Sequence, residues 1–171
     1  MRMRKNEEGC GVRAVTIFCV GKLKEAYWRA ACAEYEKSLG AFCRFSIVEV
    51  EEERAPENPS PAQLEAVLEA EGRRLLEKAG KYRVRIPLCI EGKELSSPDL
   101  ARWLDGQAVA GNGDAAFFIG GSWGLSDEVK RAGSLRLSMS PMTFPHQLAR
   151  VMLCEQLYRA MQISSGGKYH K

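Results

Sequence analysis

The chain lacks the segments and residue clusters that would place it in a membrane or in a metalloprotein family. Its 171 residues include only two histidines, His146 and His170, so a site held by several histidines is nearly excluded. No apolar run approaches the roughly 18 residues of a membrane span. No apolar core follows the charged N-terminus, so we expect no signal peptide. These absences favour a cytoplasmic protein that binds neither a membrane nor a metal.

The cysteines and the net charge argue against a zinc protein and against a protein that coats nucleic acid. The six cysteines form no C-x-x-C pair, and none lies near a histidine at a zinc-ligand spacing. We expect them to be reduced, with Cys19, Cys89 and Cys154 buried as small apolar residues in strands or helices. The net charge of +3 is well short of that of a protein that coats nucleic acid. Scattered basic groups, such as Lys22 and Lys24, could hold phosphates, although at least half of them fit solvated helix faces.

Predicted strands and helices alternate along the chain. Apolar runs predict strands at residues 14–20, 42–50, 82–90, 115–119 and 135–138. Helical patterns with terminal Ser, Pro or Gly signals predict helices at residues 25–39, 61–80, 97–111 and 145–164, with a short helix after Ser126. Pro87 cannot donate to a strand ladder, so we expect a bulge or an edge-like end in the third strand. This alternation predicts an α/β fold with a mostly parallel sheet of five to six strands flanked by helices.

The length of the chain predicts a single domain. The first predicted element begins at Ala14, and residues 1–13 fit no element. We therefore expect residues 14–171 to form the domain, with residues 1–13 as a disordered extension or an artefact of start-site choice.

Two loops in the last third of the chain carry the strongest functional signal. Gly120, Gly121 and Gly124 follow an apolar strand, and glycines let a ligand approach the backbone closely. Residues 139–144 precede the last predicted helix, for which Thr143 is the expected N-cap. Ligands bind at the carboxyl ends of strands in open α/β sheets, so we expect one pocket built from both loops. The glycines also fit a tight turn without a ligand, and their spacing is not the G-x-G-x-x-G of dinucleotide-binding proteins.

The last predicted helix mixes charged and apolar residues. His146 lies in its first turn, where the positive helix pole disfavours the imidazolium form. A neutral His146 could form a hydrogen bond in a site, or the residue could only order the loop. Apolar residues such as Val151 and Met152 go most of the way round the helix, which indicates burial on several faces and a subunit interface. Arg150 and Glu155 would then need polar partners.

The chain ends in the basic and aromatic tail Lys168-Tyr169-His170-Lys171. Such an end is commonly frayed. Tyr169 and His170 could instead stack on a base or contact a phosphate of RNA.

Several segments match one known family in order and spacing. They are Val20-Gly21-Lys22-Leu23-Lys24-Glu25, Ile119-Gly120-Gly121 with Gly124-Leu125-Ser126, Met142-Thr143-Phe144-Pro145-His146-Gln147-Leu148, Glu155-Gln156-Leu157-Tyr158-Arg159-Ala160 and Tyr169-His170-Lys171. Together they resemble the RlmH family, the ribosomal RNA large-subunit methyltransferases H of the SPOUT class. The resemblance covers roughly residues 14–171, and the combination of motifs is specific although each motif alone is not.

The resemblance implies a fold, a cofactor and a substrate. It implies an α/β fold with a C-terminal trefoil knot, an exception to the rule that chains do not thread loops. It implies a homodimer that binds S-adenosylmethionine in the knot. It also implies methylation of N3 of a pseudouridine in helix 69 of the large-subunit (23S) ribosomal RNA, on the assembled ribosome.

The resemblance also implies functional positions in this chain. The cofactor site falls on Leu88, Gly120 and the loop Met139, Ser140, Pro141, Met142, Thr143 and Phe144. Tyr169 and His170 match the tail that completes the family's active site, and either could be the general base that removes the N3 proton. His146 and Arg150 match further motif positions and are also candidate catalytic residues. Trp123 occupies a variable position of the glycine segment, where its bulk could alter the rim of the pocket.

Two other functions remain open at this point. The chain could be a SPOUT methyltransferase that acts on another RNA, such as a transfer-RNA ribose. It could also be a ribosome-associated binding module that kept the fold and lost the transfer reaction. The near-full-length match, the intact loop motifs and the tail argue against both.

Overall fold

The computed structural model describes residues 11–169, which form a parallel sheet with helices on both faces. The strands are Ala14–Val20 (β1), Arg44–Val50 (β2), Val84–Glu94 (β3), Asp114–Ile119 (β4) and Leu137–Ser138 (β5). Their order across the sheet is β2-β1-β4-β3-β5, and each recorded pairing is parallel. The predicted α/β fold with a mostly parallel sheet is therefore confirmed, with five strands.

The helices are Ala26–Leu39 (α1), Pro61–Lys78 (α2), Ser97–Val109 (α3), Asp127–Arg131 (α4) and His146–Ser164 (α5). Successive side chains of a strand point to opposite faces, and both faces of this sheet are apolar. Ile17 and Phe117 belong to the core cluster shared with α1, α3 and α5. Phe18 and Phe118 belong to the cluster shared with α2 and α4. Helices thus cover both faces of the sheet, so a ligand can reach it only at its edges and at the ends of its strands.

The ends of the helices follow the sequence signals in most cases. Ser60 caps α2 in a capping box with Gln63, and Ser126 caps α4 by accepting a hydrogen bond from the Val129 N–H. The predicted cap of the last helix was wrong. The N-cap of α5 is Pro145, which forms no side-chain cap bond, and Thr143 lies two residues too early to accept from the first turn.

The third strand is longer than predicted and changes its partner at Pro87. Residues 84–87 pair with β4, and Pro87 is the last of them, opposite Phe118. Leu88 then pairs with Leu137 of β5, with a shift of register before Lys93. The expected irregularity is confirmed, because the ladder changes where proline has no N–H to donate. The polar end of the strand, up to Glu94, was missed because it pairs only with the short edge strand β5.

Val12 and Arg13, which precede β1, are packed against the domain. Val12 is 7% exposed and belongs to the core, and the Arg13 N–H donates to the Gly113 carbonyl at 2.7 Å. These two residues were assigned to the N-terminal extension by sequence, whereas residues 1–10 lie outside the described part.

The cysteines between residues 11 and 169 are free thiols. Cys19 and Cys154 are buried as predicted, and Cys89 is only partly buried. Burial raises the pKa of the Cys19 thiol to about 12 and that of Cys43 to about 11. In the same stretch of chain, no helix is long and apolar enough to cross a membrane, and no cluster of His, Cys, Asp and Glu could hold a metal ion.

Candidate functional site

A cavity of about 800 Å³ lies where β4 ends and where β3 leaves β4 to pair with β5, beside the start of α5. Three segments line it, together with Lys130 of α4 and Ala149 of α5: residues 88–91 where β3 turns toward β5, residues 119–125, and residues 137–146 without Pro141. The two loops selected by sequence therefore share one cavity. Every cofactor residue that the resemblance implies, except Pro141, lies in its wall.

The glycine loop, residues 120–124, is shaped by its own backbone. A Cβ on Gly120 would overlap the carbonyl group of Gly124, so Gly120 is required by this close approach within the loop. Sequence reasoning had assigned that requirement to an approaching ligand. Gly124 has φ +87°, which disfavours any side chain, although the space around its Cβ position is open. The loop therefore turns sharply and presents backbone atoms to the cavity.

Two serine side chains order the 139–144 loop. The hydroxyl of the buried Ser138 donates to the Ser140 carbonyl at 3.1 Å, and the Met142 N–H donates to the Ser140 hydroxyl at 3.0 Å. Met142 itself is 70% exposed. The loop leads directly into the N-terminus of α5, whose first N–H groups have no partner within the helix.

His146 is a half-buried residue in the wall of the cavity. Burial lowers the pKa of its imidazole, Arg150 lowers it further, and the negative charge of Glu52 acts in the opposite direction. The position at the helix pole predicts a neutral imidazole. The neutral form is favoured in the structure, and burial is its main cause.

Arg150 does not line the cavity but lies beneath it, 1% exposed. Its Nη1 donates to Glu49 Oε1 at 2.6 Å, and its Nη2 donates to the Gly21 carbonyl at 3.1 Å. Glu49 Oε1 also accepts from the Leu23 N–H at 3.2 Å. The polar partner that Arg150 was expected to need is thus Glu49, and the pair ties α5 to the loop after β1.

Tyr169 lies apart from the cavity, near the far end of α5. Its ring packs edge-on against Tyr158, with the centroids 4.9 Å apart, and the Arg159 guanidinium lies 4.8 Å from its centroid. Its hydroxyl donates to Glu155, and desolvation and this carboxylate raise the pKa of the phenol. Glu155 is about 14 Å along the helix axis from His146 at 1.5 Å per residue. His170 lies outside the described residues.

The whole described fold can be assigned to a family. The family model described as "Predicted SPOUT methyltransferase" matches residues 14–170. The chain belongs to the SPOUT methyltransferase family.

The first two of the following solved structures share the fold of this chain at TM-scores above 0.5. A probable methyltransferase from Bordetella pertussis Tohama I matches at TM-score 0.53 and 14% identity, over 89% of this chain and 98% of that one. A probable methylase family protein from Haemophilus influenzae Rd KW20 matches at TM-score 0.52 and 10% identity, over 91% and 67%. The SpoU methyltransferase AviRb from Streptomyces viridochromogenes, solved in complex with the cofactor AdoMet, matches at TM-score 0.46 and 14% identity, over 92% and 60%.

Two charged residues in the cavity of this SPOUT methyltransferase were missed by sequence. Lys130 Nζ lies 2.6 Å from Glu91 Oε1, and both residues line the cavity. Lys130 is in the last turn of α4, where a basic residue is expected at any helix end. Glu91 follows the residues predicted as the third strand, so neither position carried a signal of its own. Trp123, noted by sequence for its bulk, is 49% exposed in the wall of the cavity.

Proposed function

We propose that this SPOUT methyltransferase uses S-adenosylmethionine to methylate N3 of a pseudouridine in helix 69 of the large-subunit ribosomal RNA, on the assembled ribosome. The observation that carries the proposal is the cavity formed jointly by residues 88–91 of β3, the glycine loop and the 139–144 loop. The near-full-length resemblance to the RlmH family supports the choice of substrate.

The residues of the cavity fit a nucleoside cofactor. A volume of about 800 Å³ is within the usual range for small-molecule sites. Leu88, Ile119 and Phe144 offer apolar surface for a purine ring, and the glycine loop and the 139–144 loop offer backbone donors and acceptors. Leu88, Gly120 and the 139–144 loop, including Pro141, would hold the cofactor.

The cofactor supplies an electrophilic methyl group on its sulfonium. The protein's own contribution is chiefly to position the reacting groups and to accept a proton. N3 of a uracil ring must lose its proton before or during attack, and a neutral imidazole can accept it. His146 is neutral in the cavity wall and His170 belongs to the tail, so these two are the candidate bases.

Tyr169 and Arg150 have other roles in the proposal. The raised pKa of Tyr169 makes its phenolate scarce in the arrangement described above, so we assign it to contact with RNA together with His170. Arg150 holds the start of α5, and hence His146, against the strand ends. Because the net charge is only +3, the shape of the ribosome supplies much of the recognition.

A homodimer and a C-terminal knot complete the proposal. In the single chain Val151 and Met152 are only partly buried, and both line a second groove of about 510 Å³ beside α5. A second copy packed along α5 would cover this surface. A knot is compatible with the strand order, because the chain leaves β4, passes to the edge strand β5 and returns through α5 to contact α1 and α3.

The proposal is tested by methyl transfer from labelled S-adenosylmethionine to intact ribosomes that lack the modification, followed by nucleoside analysis. We expect label in N3-methylpseudouridine, and none on ribosomes that already carry it. Label in another nucleoside or another RNA would support the alternative SPOUT substrate. Cofactor binding with no transfer to any RNA would support the non-catalytic module.

A further inference from the structure

The cavity contains one positive and one negative side chain in contact. Among the described residues that line it, Lys130 and Glu91 are the charged ones, and His146 and Cys89 are further titratable groups. Their ion pair has Nζ and Oε1 at 2.6 Å, with side chains 23% and 53% exposed. The hydrogen bond from Lys130 is the main cause that lowers the pKa of Glu91, so Glu91 is a carboxylate at neutral pH.

Both charges are held on rigid backbone. Lys130 follows Val129, which is completely buried and whose N–H donates to the capping hydroxyl of Ser126. Glu91 precedes Gly92, where a Cβ would lie 2.8 Å from the Arg136 carbonyl oxygen, so β3 lies tightly against the start of β5. The two side chains therefore reach the cavity from fixed positions on opposite elements, α4 and β3.

We propose that Lys130 and Glu91 bind the amino-acid end of the cofactor, with Lys130 on its α-carboxylate and Glu91 on its α-ammonium group. This inference rests on the proposed function and names the part of the cavity that recognises the zwitterion. A zwitterion needs one charge of each sign, and the cavity wall offers one of each. Solvent reaches Glu91 freely and Lys130 in part, and such ion pairs contribute little to stability, so exchanging this pair for two pairs with the ligand costs little. The remaining wall, apolar and backbone in character, is left for the nucleoside.

The test compares two ligands that differ only at this end. S-adenosylhomocysteine and 5′-methylthioadenosine share the nucleoside and a neutral thioether, and only the former carries the amino acid. Calorimetric titration of both into the full chain measures their dissociation constants. The variants are Lys130→Met, Glu91→Gln and the charge-retaining Lys130→Arg. Arg131→Met is the matched control, because Arg131 is the next residue of α4, exposed and outside the cavity wall.

We expect Lys130→Met to lower the affinity for S-adenosylhomocysteine about tenfold or more, as for a lost charge-assisted hydrogen bond. The affinity for methylthioadenosine should fall less than about threefold. Lys130→Arg should retain most of the affinity for S-adenosylhomocysteine that Lys130→Met loses. Glu91→Gln should lower only the affinity for S-adenosylhomocysteine, and Arg131→Met should change the affinity for neither ligand.

Equal weakening of both ligands by Lys130→Met, or unchanged binding of both, would overturn the assignment of this subsite. Lower thermal stability without a change in affinity would likewise assign the pair to the fold alone. If the unmodified protein binds neither ligand, the proposed function itself fails, which separates the two failures.

Discussion

Arg150 shows how a charged side chain can be fully enclosed in this fold. Its guanidinium donates to Glu49 and to the Gly21 carbonyl, and it joins α5 to the ends of β1 and β2. Sequence identified Arg150 as a motif position that needed a polar partner. It could not identify the partner, because Glu49 is 101 residues away in the chain and is one of many exposed-looking acidic residues.

Replacing Arg150 by methionine should destabilise the protein strongly. The change leaves Glu49 partly buried without its cation, and we expect the free energy of unfolding to fall by about 2–4 kcal/mol. Urea denaturation measures this, with Arg102→Met as the control because that side chain is 73% exposed and pairs only across one helical turn. An equal, small effect of both changes would contradict the anchoring role.

Glu71 is the other charged residue enclosed in the described fold, at 3% exposure. Its Oε1 accepts from the Glu53 N–H at 3.0 Å, and its Oε2 has no hydrogen-bond partner. A Cβ on Gly121 would lie 3.5 Å from both oxygens, so the carboxyl group lies against the glycine loop. Burial is the main cause that raises its pKa above 4.5.

Glu71→Gln should stabilise the protein at neutral pH and not in acid. Because the folded state holds the Glu71 proton more tightly than the unfolded state, native stability falls as pH rises from 4.5 through the raised pKa. Glutamine removes that loss, so we expect a rise in Tm of about 2–4 °C at pH 7.5 if the cost is ~1 kcal/mol. Below pH 4.5 the two proteins should be alike.

Thermal denaturation across pH makes this comparison. Glu69→Gln, an exposed position on the same helix, should show no such pH-dependent gain. A lower Tm for Glu71→Gln at pH 7.5 would mean that the carboxylate form is stabilised in the fold.

The shape of the glycine loop depends on the absence of side chains at Gly120 and Gly124. Since a Cβ at Gly120 meets the backbone of Gly124, Gly120→Ala must displace the loop itself. We expect this variant to lose most of its affinity for S-adenosylmethionine, measured by calorimetry, and to be less stable. Gly106→Ala is the matched control. Gly106 is helical with open space around its Cβ, so alanine there should be neutral or stabilising by up to about 1 kcal/mol. Normal cofactor affinity in Gly120→Ala would contradict the role of the loop.

Most elements could be predicted from the sequence, and the errors have local causes. The bounds of β1 were correct, because a mostly apolar run of seven residues ends at Gly21. The last turn before α5 was misjudged because Thr143 has the better capping side chain, whereas Pro145 has the backbone conformation at the helix start. The joint cavity was predictable because parallel strands place their carboxyl ends at one edge. The ion pair of Lys130 and Glu91 was not predictable, because it depends on the switch of β3 from β4 to β5.

At the level of the whole molecule, the order of the strands lay beyond sequence reasoning. Alternating elements predict a parallel sheet, but each βα unit can join either edge. The observed order puts β4 in the centre and β5 at the edge beside β3. This places the glycine loop and the 139–144 loop close enough to share a cavity.

The proposed homodimer can be tested by measuring the mass of the whole molecule in solution. Sedimentation of the unmodified protein should give a dimer. Met152→Glu, a charge in the groove beside α5, should shift it toward monomer because an unpaired charge is costly in an apolar interface. Val109→Glu places the same charge on an apolar residue that is 70% exposed and should leave the dimer intact. A monomeric unmodified protein at micromolar concentration would contradict the proposal.

The cofactor site is tested most directly by a crystal structure of the protein with S-adenosylhomocysteine. We expect the ligand to lie in the 800 Å³ cavity, in contact with Leu88, Gly120 and the 139–144 loop. The same chain trace would reveal whether the C-terminal segment is knotted. Ligand bound at another place, or a cavity that stays empty at saturating ligand, would contradict the central claim that these three strand-end segments form one cofactor site.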